Sequence, residues 1–156
     1  IIIMTSNMGS HLIQESFAAA TPQADGAMPA EVVERTRSEV IELLKKQLKP
    51  EFLNRIDEIV LFEPLTEGDI RKIVDMQMHT IRKMLAHNGI SLDYTTAARD
   101  WIARNGYDAL FGARPVKRTI QREVVNTLSK RILAGDVERE KPIRIDAEGE
   151  RLVFSN

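Results

Sequence analysis

Cysteine is absent from the 156 residues. That excludes a disulfide framework, a thiolate nucleophile and cysteine-ligated zinc, and makes the cytoplasm the expected compartment. Aromatic residues are only 5% of the chain, too few to interleave with cations as a stacking platform for nucleic-acid bases. Neither sign of charge prevails: 22 Lys and Arg against 23 Asp and Glu leave a net charge of -1. No overall field therefore draws a polyanion or an anionic membrane, and neither is an expected partner. Apolar runs are short as well. Runs of four, Ile1 to Met4 and Ile59 to Phe62 among them, fall far below the ~20 residues that span a bilayer. What is present is 43% hydrophobic and 29% charged, enough apolar material for a core beneath a wet surface. The length suits one ordinary domain or two small ones.

Ile1-Ile2-Ile3-Met4 and Ile59-Val60-Leu61-Phe62 lack alternation, the pattern of strands buried on both faces of a parallel sheet. Two short strands cannot shield a sheet, so the expectation is a piece of an α/β layer whose other strands lie outside this chain. Pro22, Gly26 and Pro29 interrupt any period between Ala18 and Ala30, which reads as a loop. Val33, Val40, Ile41, Leu44 and Leu48 then share a helical face that Pro50 closes, and Pro50 also suits the first position of a short helix through Ile56.

At Pro64-Leu65-Thr66 the pattern changes to amphipathic helices and alternating strands, which predicts a subdomain boundary. Thr66 with Asp69 resembles a capping box, and Ile70, Ile73, Val74, Met78, Ile81 and Leu85 form a stripe ending at Asn88-Gly89. Ile90, Leu92 and Tyr94 alternate as a half-exposed strand, and a short helix follows, marked by Ala97, Ala98, Trp101 and Ile102 and stopped at Asn105-Gly106. Pro115 opens the next helix, which turns Val116, Ile120, Val124, Leu128 and Ile132 inward and ends at Gly135. Ile143 to Phe154, turning at Glu148-Gly149, reads as a hairpin.

None of the eight glycines stands in the Gly-x-x-x-x-Gly-Lys-Ser/Thr pattern that cradles phosphates. His11, His79 and His87 lack metal-ligand spacing, so no metal site is expected. Three polar positions lie at the edges of elements that could face a cleft. Asn7 follows the first apolar run, where ligands of open α/β sheets gather, although pattern alone favours a turn or cap. Arg55 in Asn54-Arg55-Ile56-Asp57 offers a fork of donors to a phosphate; a surface pairing with Asp57 or Glu58 is the plainer alternative. Arg114, in Gly112-Ala113-Arg114-Pro115, precedes a helix whose start attracts anions, and a cation there is explained best if an anion joins it. The basic run Arg114, Lys117, Arg118 and Arg122, then Lys130 and Arg131, reads as a solvated helix face or a subunit contact.

Three segments in order, Ile3-Met4-Thr5-Ser6-Asn7, Pro50-Glu51-Phe52-Leu53-Asn54-Arg55-Ile56-Asp57-Glu58 and Gly106-Tyr107-Asp108 through Gly112-Ala113-Arg114-Pro115-Val116-Lys117-Arg118, resemble the second AAA+ module of the Clp ATPases. The match runs over nearly the whole chain and is closest to the ClpB-type disaggregases. The resemblance implies an α+β fold: the C-terminal remnant of an α/β AAA+ large subdomain over 1–63, then a small α+β lid over 64–156 with helices on a short antiparallel sheet. It implies that Asn7 is sensor 1, placing the attacking water, and that Arg55 is an arginine finger reaching a neighbouring subunit. It further implies that Arg114, preceded by Ala113, is sensor 2 on the nucleotide of its own subunit, and that Ile73 borders the adenine.

Mg-ATP as nucleotide, a hexameric ring of like subunits, unfolded or aggregated polypeptide and a DnaK-type chaperone follow from the same resemblance. The isolated chain, without Walker motifs, is expected to be inactive. Lys49 stands where the family often has arginine, which leaves that upstream position without a role. Other readings are a ClpC- or ClpA-type unfoldase serving a protease, an oligomerisation module without catalysis, and a nucleic-acid-binding relative such as a clamp loader.

Overall fold

Proline suits the first turn of a helix and no later one, and the beginning of the chain is punctuated accordingly. In a computed structural model, which describes residues 1–21, 23, 28–108, 112–138 and 140–156, the chain divides into two compact units, Ile1–Thr66 and Glu67–Asn156. The first unit holds α1 (Ser10–Ala18), α2 (Ala30–Gln47) and the single turn α3 (Pro50–Leu53). Pro29 precedes α2 and Pro50 begins α3, as its ring favours. Pro22 and Gly26, the other two breakers of the expected loop, lie outside the described residues.

Packing in this unit is thin. Phe17, Thr36 and Val40 are its buried described residues, with the Thr36 hydroxyl donating to the Val32 carbonyl at 2.8 Å. Gly9 starts α1 at φ 76°, and a Cβ there would lie 3.1 Å from a Val40 methyl. Both the backbone conformation and the close approach therefore call for glycine.

The two expected strands do not form among the described residues. Ile1 to Met4 are exposed, as are Val60 at 64% and Phe62 at 81%. An apolar run becomes a strand only when another takes up its N–H and C=O groups, and none of the described residues does so for either run. In their place the unit contains α1, which the periodicity did not announce.

The second unit is built from the stripes the sequence displays. In α4 (Glu67–Ala86) Ile70, Val74, Met78, Ile81 and Leu85 are buried. The helix closes at Gly89, φ 72°, where the Ile90 N–H reaches the Leu85 carbonyl at 3.0 Å and the Gly89 N–H reaches Ala86 at 3.0 Å. This is a Schellman closure, with Leu85 and Ile90 both in the core. After β1 (Leu92–Tyr94), Thr95 caps α5 (Thr96–Gly106) by accepting the Ala98 N–H at 3.1 Å. A helical rod follows: α6 (Arg114–Thr119), a π-helical segment (Ile120–Val125) and α7 (Asn126–Ala134), ending at Gly135 with φ 79°.

The chain finishes in β2 (Ile143–Glu148) and β3 (Arg151–Ser155), antiparallel as a hairpin should be, with Ile145 opposite Phe154. β1 joins the other edge of β2 in parallel, Leu92 opposite Ile143, so the sheet is mixed where a purely antiparallel one was expected. The crossover from β1 to β2 through α5, α6 and α7 makes the parallel pairing possible. The overall class, helices packed on a small sheet, is as expected.

One continuous core joins these elements. It runs from Ile70 and Met78 through Trp101, Ile102, Val116 and Val124 to Ile143 and Ile145. Around it, a polar belt ties α4, α5 and β1. Arg71 pairs with Asp100 at 3.1 Å and Arg99 with Asp75 at 3.7 Å, while the Tyr94 hydroxyl donates to Asp75 at 2.9 Å. Arg82 donates to the Leu92 carbonyl at 2.7 Å, pairs with Asp93 and lies 5.8 Å over the Tyr94 ring. Among the described residues no helix is long and apolar enough to cross a membrane.

Candidate functional site

The candidate residues fall into two groups, one in each unit. In the first unit Asn7 stands in the turn that leads into α1: its carbonyl accepts the Ser10 N–H at 3.2 Å, and the neighbouring Met8 N–H reaches the Ser6 hydroxyl at 3.1 Å. Gly9 makes that turn possible, and the Asn7 side chain is left exposed. Arg55 follows α3, whose start Pro50 fixes and whose end is closed by the Asn54 N–H on the Pro50 carbonyl at 3.0 Å. Its own N–H reaches Phe52 at 3.1 Å. The side chain is exposed, and among the described residues no carboxylate, neither Asp57 nor Glu58, pairs with it. The plainer surface-pairing alternative is thus not what the structure adopts.

In the second unit Arg114 is the first residue of α6, with Ala113 in the capping position and Pro115 in the first turn. The loop before it is drawn tight by a reciprocal bridge: the Asp108 N–H donates to the Gly112 carbonyl at 3.1 Å and the Gly112 N–H to the Asp108 carbonyl at 2.7 Å. Residues 109–111 lie outside the described residues. Gly112 takes φ 60°, a conformation glycine adopts without strain. Arg114 is exposed, Ala113 half-buried against the core.

Arg114, Lys117, Arg118, Gln121, Arg122 and Asn126 line a shallow groove of about 380 Å³. Arg122 is held by Glu123 at 2.5 Å, and the other three cations have no carboxylate partner among the described residues. Unneutralised guanidinium and ammonium groups on one face suit a phosphate or carboxylate. Ile73 is half-buried on α4, packed against the core from its margin. It shares the unit with Arg114.

Two positions that the chemistry of the sequence does not single out matter to this geometry. Gly106, legible only as a helix stop, is the last residue of α5, and its φ is not positive. Glycine is needed there for another reason: an added Cβ would sit 2.8 Å from the Val116 Cα. Thr119 is buried on α6, and its hydroxyl donates to the Asn105 carbonyl at 3.2 Å.

Two groups of the second unit have displaced pKa values. Burial, and then the hydrogen bond to Asp75, raise the Tyr94 hydroxyl above its ordinary 10.0. The Thr95 hydroxyl, followed by the Ala147 N–H, holds the Asp146 carboxyl below its ordinary 3.8. Both belong to the scaffold of the second unit.

Two family models cover the chain. Residues 65–145 match the C-terminal, D2-small domain of ClpB protein, and residues 1–59 match an AAA domain of the Cdc48 subfamily. The chain belongs to the ClpB family. Among its ClpB relatives, that of Bacteroides thetaiotaomicron is 51% identical over 156 residues, all of this chain and 18% of the relative. The mitochondrial ClpB4 of Arabidopsis thaliana is 40% identical over 148 residues, 95% of this chain and 15% of the relative.

Of solved structures, the Saccharomyces cerevisiae Hsp104–ADP complex superposes with a TM-score of 0.76 at 34% identity, covering 96% of this chain and 24% of that one. A closed state of Hsp104 with ATPγS and FITC-labelled casein gives a TM-score of 0.72 at 31% identity, covering 99% of this chain and 26% of that one. The chain thus spans under a fifth of the length of the Bacteroides ClpB. Asn7 and Arg55 lie within the AAA match, and Ile73, Ala113 and Arg114 within the ClpB D2-small match.

Proposed function

We propose that the chain forms the C-terminal part of a ClpB-type ATP-dependent disaggregase subunit. Residues 1–63 are the end of the AAA+ large subdomain, and residues 64–156 its small lid. The observation that carries this reading is the pair of exposed arginines, Arg55 and Arg114, without carboxylate partners among the described residues and each inside the stretch that matches its family model. The ClpB and Hsp104 names of the relatives favour the disaggregase over a protease-coupled unfoldase or a non-catalytic module.

Phosphoryl transfer depends on positioning and on neutralising charge, and these side chains have the chemistry for both. Asn7 orients the attacking water. Arg55 extends its fork of donors to the nucleotide of a neighbouring subunit, where a fixed planar cation relieves the charge that gathers on the transferred phosphoryl group. Arg114, with Ala113 beside it, contacts the nucleotide of its own subunit and links the lid to it, and Ile73 borders the adenine. The nucleotide is Mg-ATP, its phosphate loop supplied by sequence outside these residues.

A hexameric ring of such subunits acts on aggregated polypeptide in the cytoplasm together with a DnaK-type chaperone. The Hsp104 complexes with ADP and with ATPγS and casein support nucleotide and polypeptide as the ligands. In the ring of the full-length subunit, Arg55→Ala should leave ADP affinity nearly intact while turnover falls steeply, and Arg114→Ala should weaken nucleotide affinity and nucleotide-dependent assembly. Equal, minor effects of the two on steady-state ATPase and on binding of a fluorescent ADP would refute the assignment.

A further inference from the structure

We propose that Gly106 and Thr119 are positioning residues for Arg114, acting through a backbone-to-backbone seat between the end of α5 and the start of α6. The inference rests on the reading of Arg114 as a nucleotide contact. Arg114 lies at the first position of the helical rod that runs from α6 through the π-helical segment into α7. Its direction is set by what α6 rests on.

Two contacts fix that seat. Val116 is 1% exposed and meets Gly106 so closely that a Cβ on Gly106 would stand 2.8 Å from the Val116 Cα and 3.0 Å from its Cγ2. The nearer of these is backbone, which no rotamer change can move aside. One turn further on, the buried Thr119 hydroxyl donates to the Asn105 carbonyl at 3.2 Å, one of the last carbonyls of α5, which lack partners inside a regular helix. Gly106 and Asn105 are adjacent on α5, and Val116 and Thr119 lie one turn apart on α6. The two contacts therefore hold the helix against both translation and rotation. A reciprocal bridge joins Asp108 to Gly112. The guanidinium of Arg114 takes its place from α5.

The test is a double-mutant cycle in the ring of the full-length subunit, read as affinity for a fluorescent ADP at a temperature well below unfolding. Thr119→Val keeps the shape and loses the donor; it should weaken ADP binding by about three-fold to ten-fold, the range that loss of one hydrogen bond corresponds to. Thr119→Ser keeps the donor and should restore most of the affinity. Gly106→Ala should weaken binding more than Thr119→Val.

In an Arg114→Ala background both substitutions should have little further effect, because there is no longer a guanidinium to misplace. Losses that add fully in that background, or Thr119→Val and Gly106→Ala rings that bind ADP as the parent does, would overturn the proposal. Should Arg114→Ala itself leave ADP affinity unchanged, the underlying reading of Arg114 fails instead, a result distinct from failure of the seat. If Gly106→Ala does not fold, the Thr119 pair carries the test alone.

Discussion

The described residues of the first unit bury Phe17, Thr36 and Val40, whereas the second encloses one core that reaches from Ile70 on α4 to Ile145 on β2. Arg55 and Arg114 therefore stand on unlike supports. Arg114 opens a helix whose next turn includes the buried Val116 and Thr119. Arg55 follows a single turn with no buried residue, and Phe52 beside it is 42% exposed. A side chain on a seated helix has its position set within its own unit. One on a bare turn takes its position from what covers it, which is the condition a group needs if it is to respond to a neighbouring subunit.

The strongest test of that contrast is Arg55→Ala. Turnover of the assembled ring should fall on the order of 10³-fold, the lower range for arginine fingers, while the free energy of unfolding in urea stays within about 0.5 kcal/mol. A large stability loss would mean that Arg55 is part of the packing after all. Next in size, Ile102→Ala empties a fully buried site and should destabilise the second unit by about 2–5 kcal/mol. In the same urea titration Phe17→Ala should leave that unit's transition in place. A single transition shifted by both substitutions would erase the distinction between the units.

Smaller again, Thr95→Ala removes the cap of α5 and should cost about 0.5–2 kcal/mol, confined to the second unit. The smallest effect is one of pH. Asp146 is held below 3.8 by the hydroxyl of the same Thr95, so its contribution is present above about pH 4 and is lost as pH falls through the depressed value. Acid titration of the parent should show this loss, and Thr95→Ala should show less of it. For Tyr94, raised above 10.0, the sign reverses: its contribution is present below pH 10.0 and is lost as the pH rises through the raised value.

The second unit is the more legible in sequence because its signals are local. Asn88-Gly89 ends α4, Asn105-Gly106 ends α5, Pro115 and Gly135 bracket the rod, and Glu148-Gly149 turns the hairpin. The parallel partnership of β1 with β2 was not legible, since alternation reports a half-buried strand and says nothing of its neighbour's direction. In the first unit Ile1 to Met4 and Ile59 to Phe62 carry the composition of strands, but strand formation is a property of pairs. α1 was missed because Leu12, Ile13 and Phe17 make a weak period and Gly9 offers no side-chain cap.

For the site, the arginines were visible as residue types next to prolines and helix ends. The seat beneath Arg114 was not. A glycine chosen for a neighbour's backbone and a glycine chosen for a turn look alike in one dimension.

The buried residues Val116, Ile120, Val124 and Leu128 recur every fourth position, a beat slower than the 3.6 residues of an α-turn. A regular α-helix would carry such a row steadily around its axis and out of the core. The wide turn over Ile120–Val125, marked by the Asn126 N–H donating to the Gln121 carbonyl five residues back, takes up the excess and returns the row to one side. Removing a single residue there would let the stretch close as ordinary α-helix, with Leu128 still inward and Arg131 still at the Phe154 carbonyl it reaches at 2.7 Å.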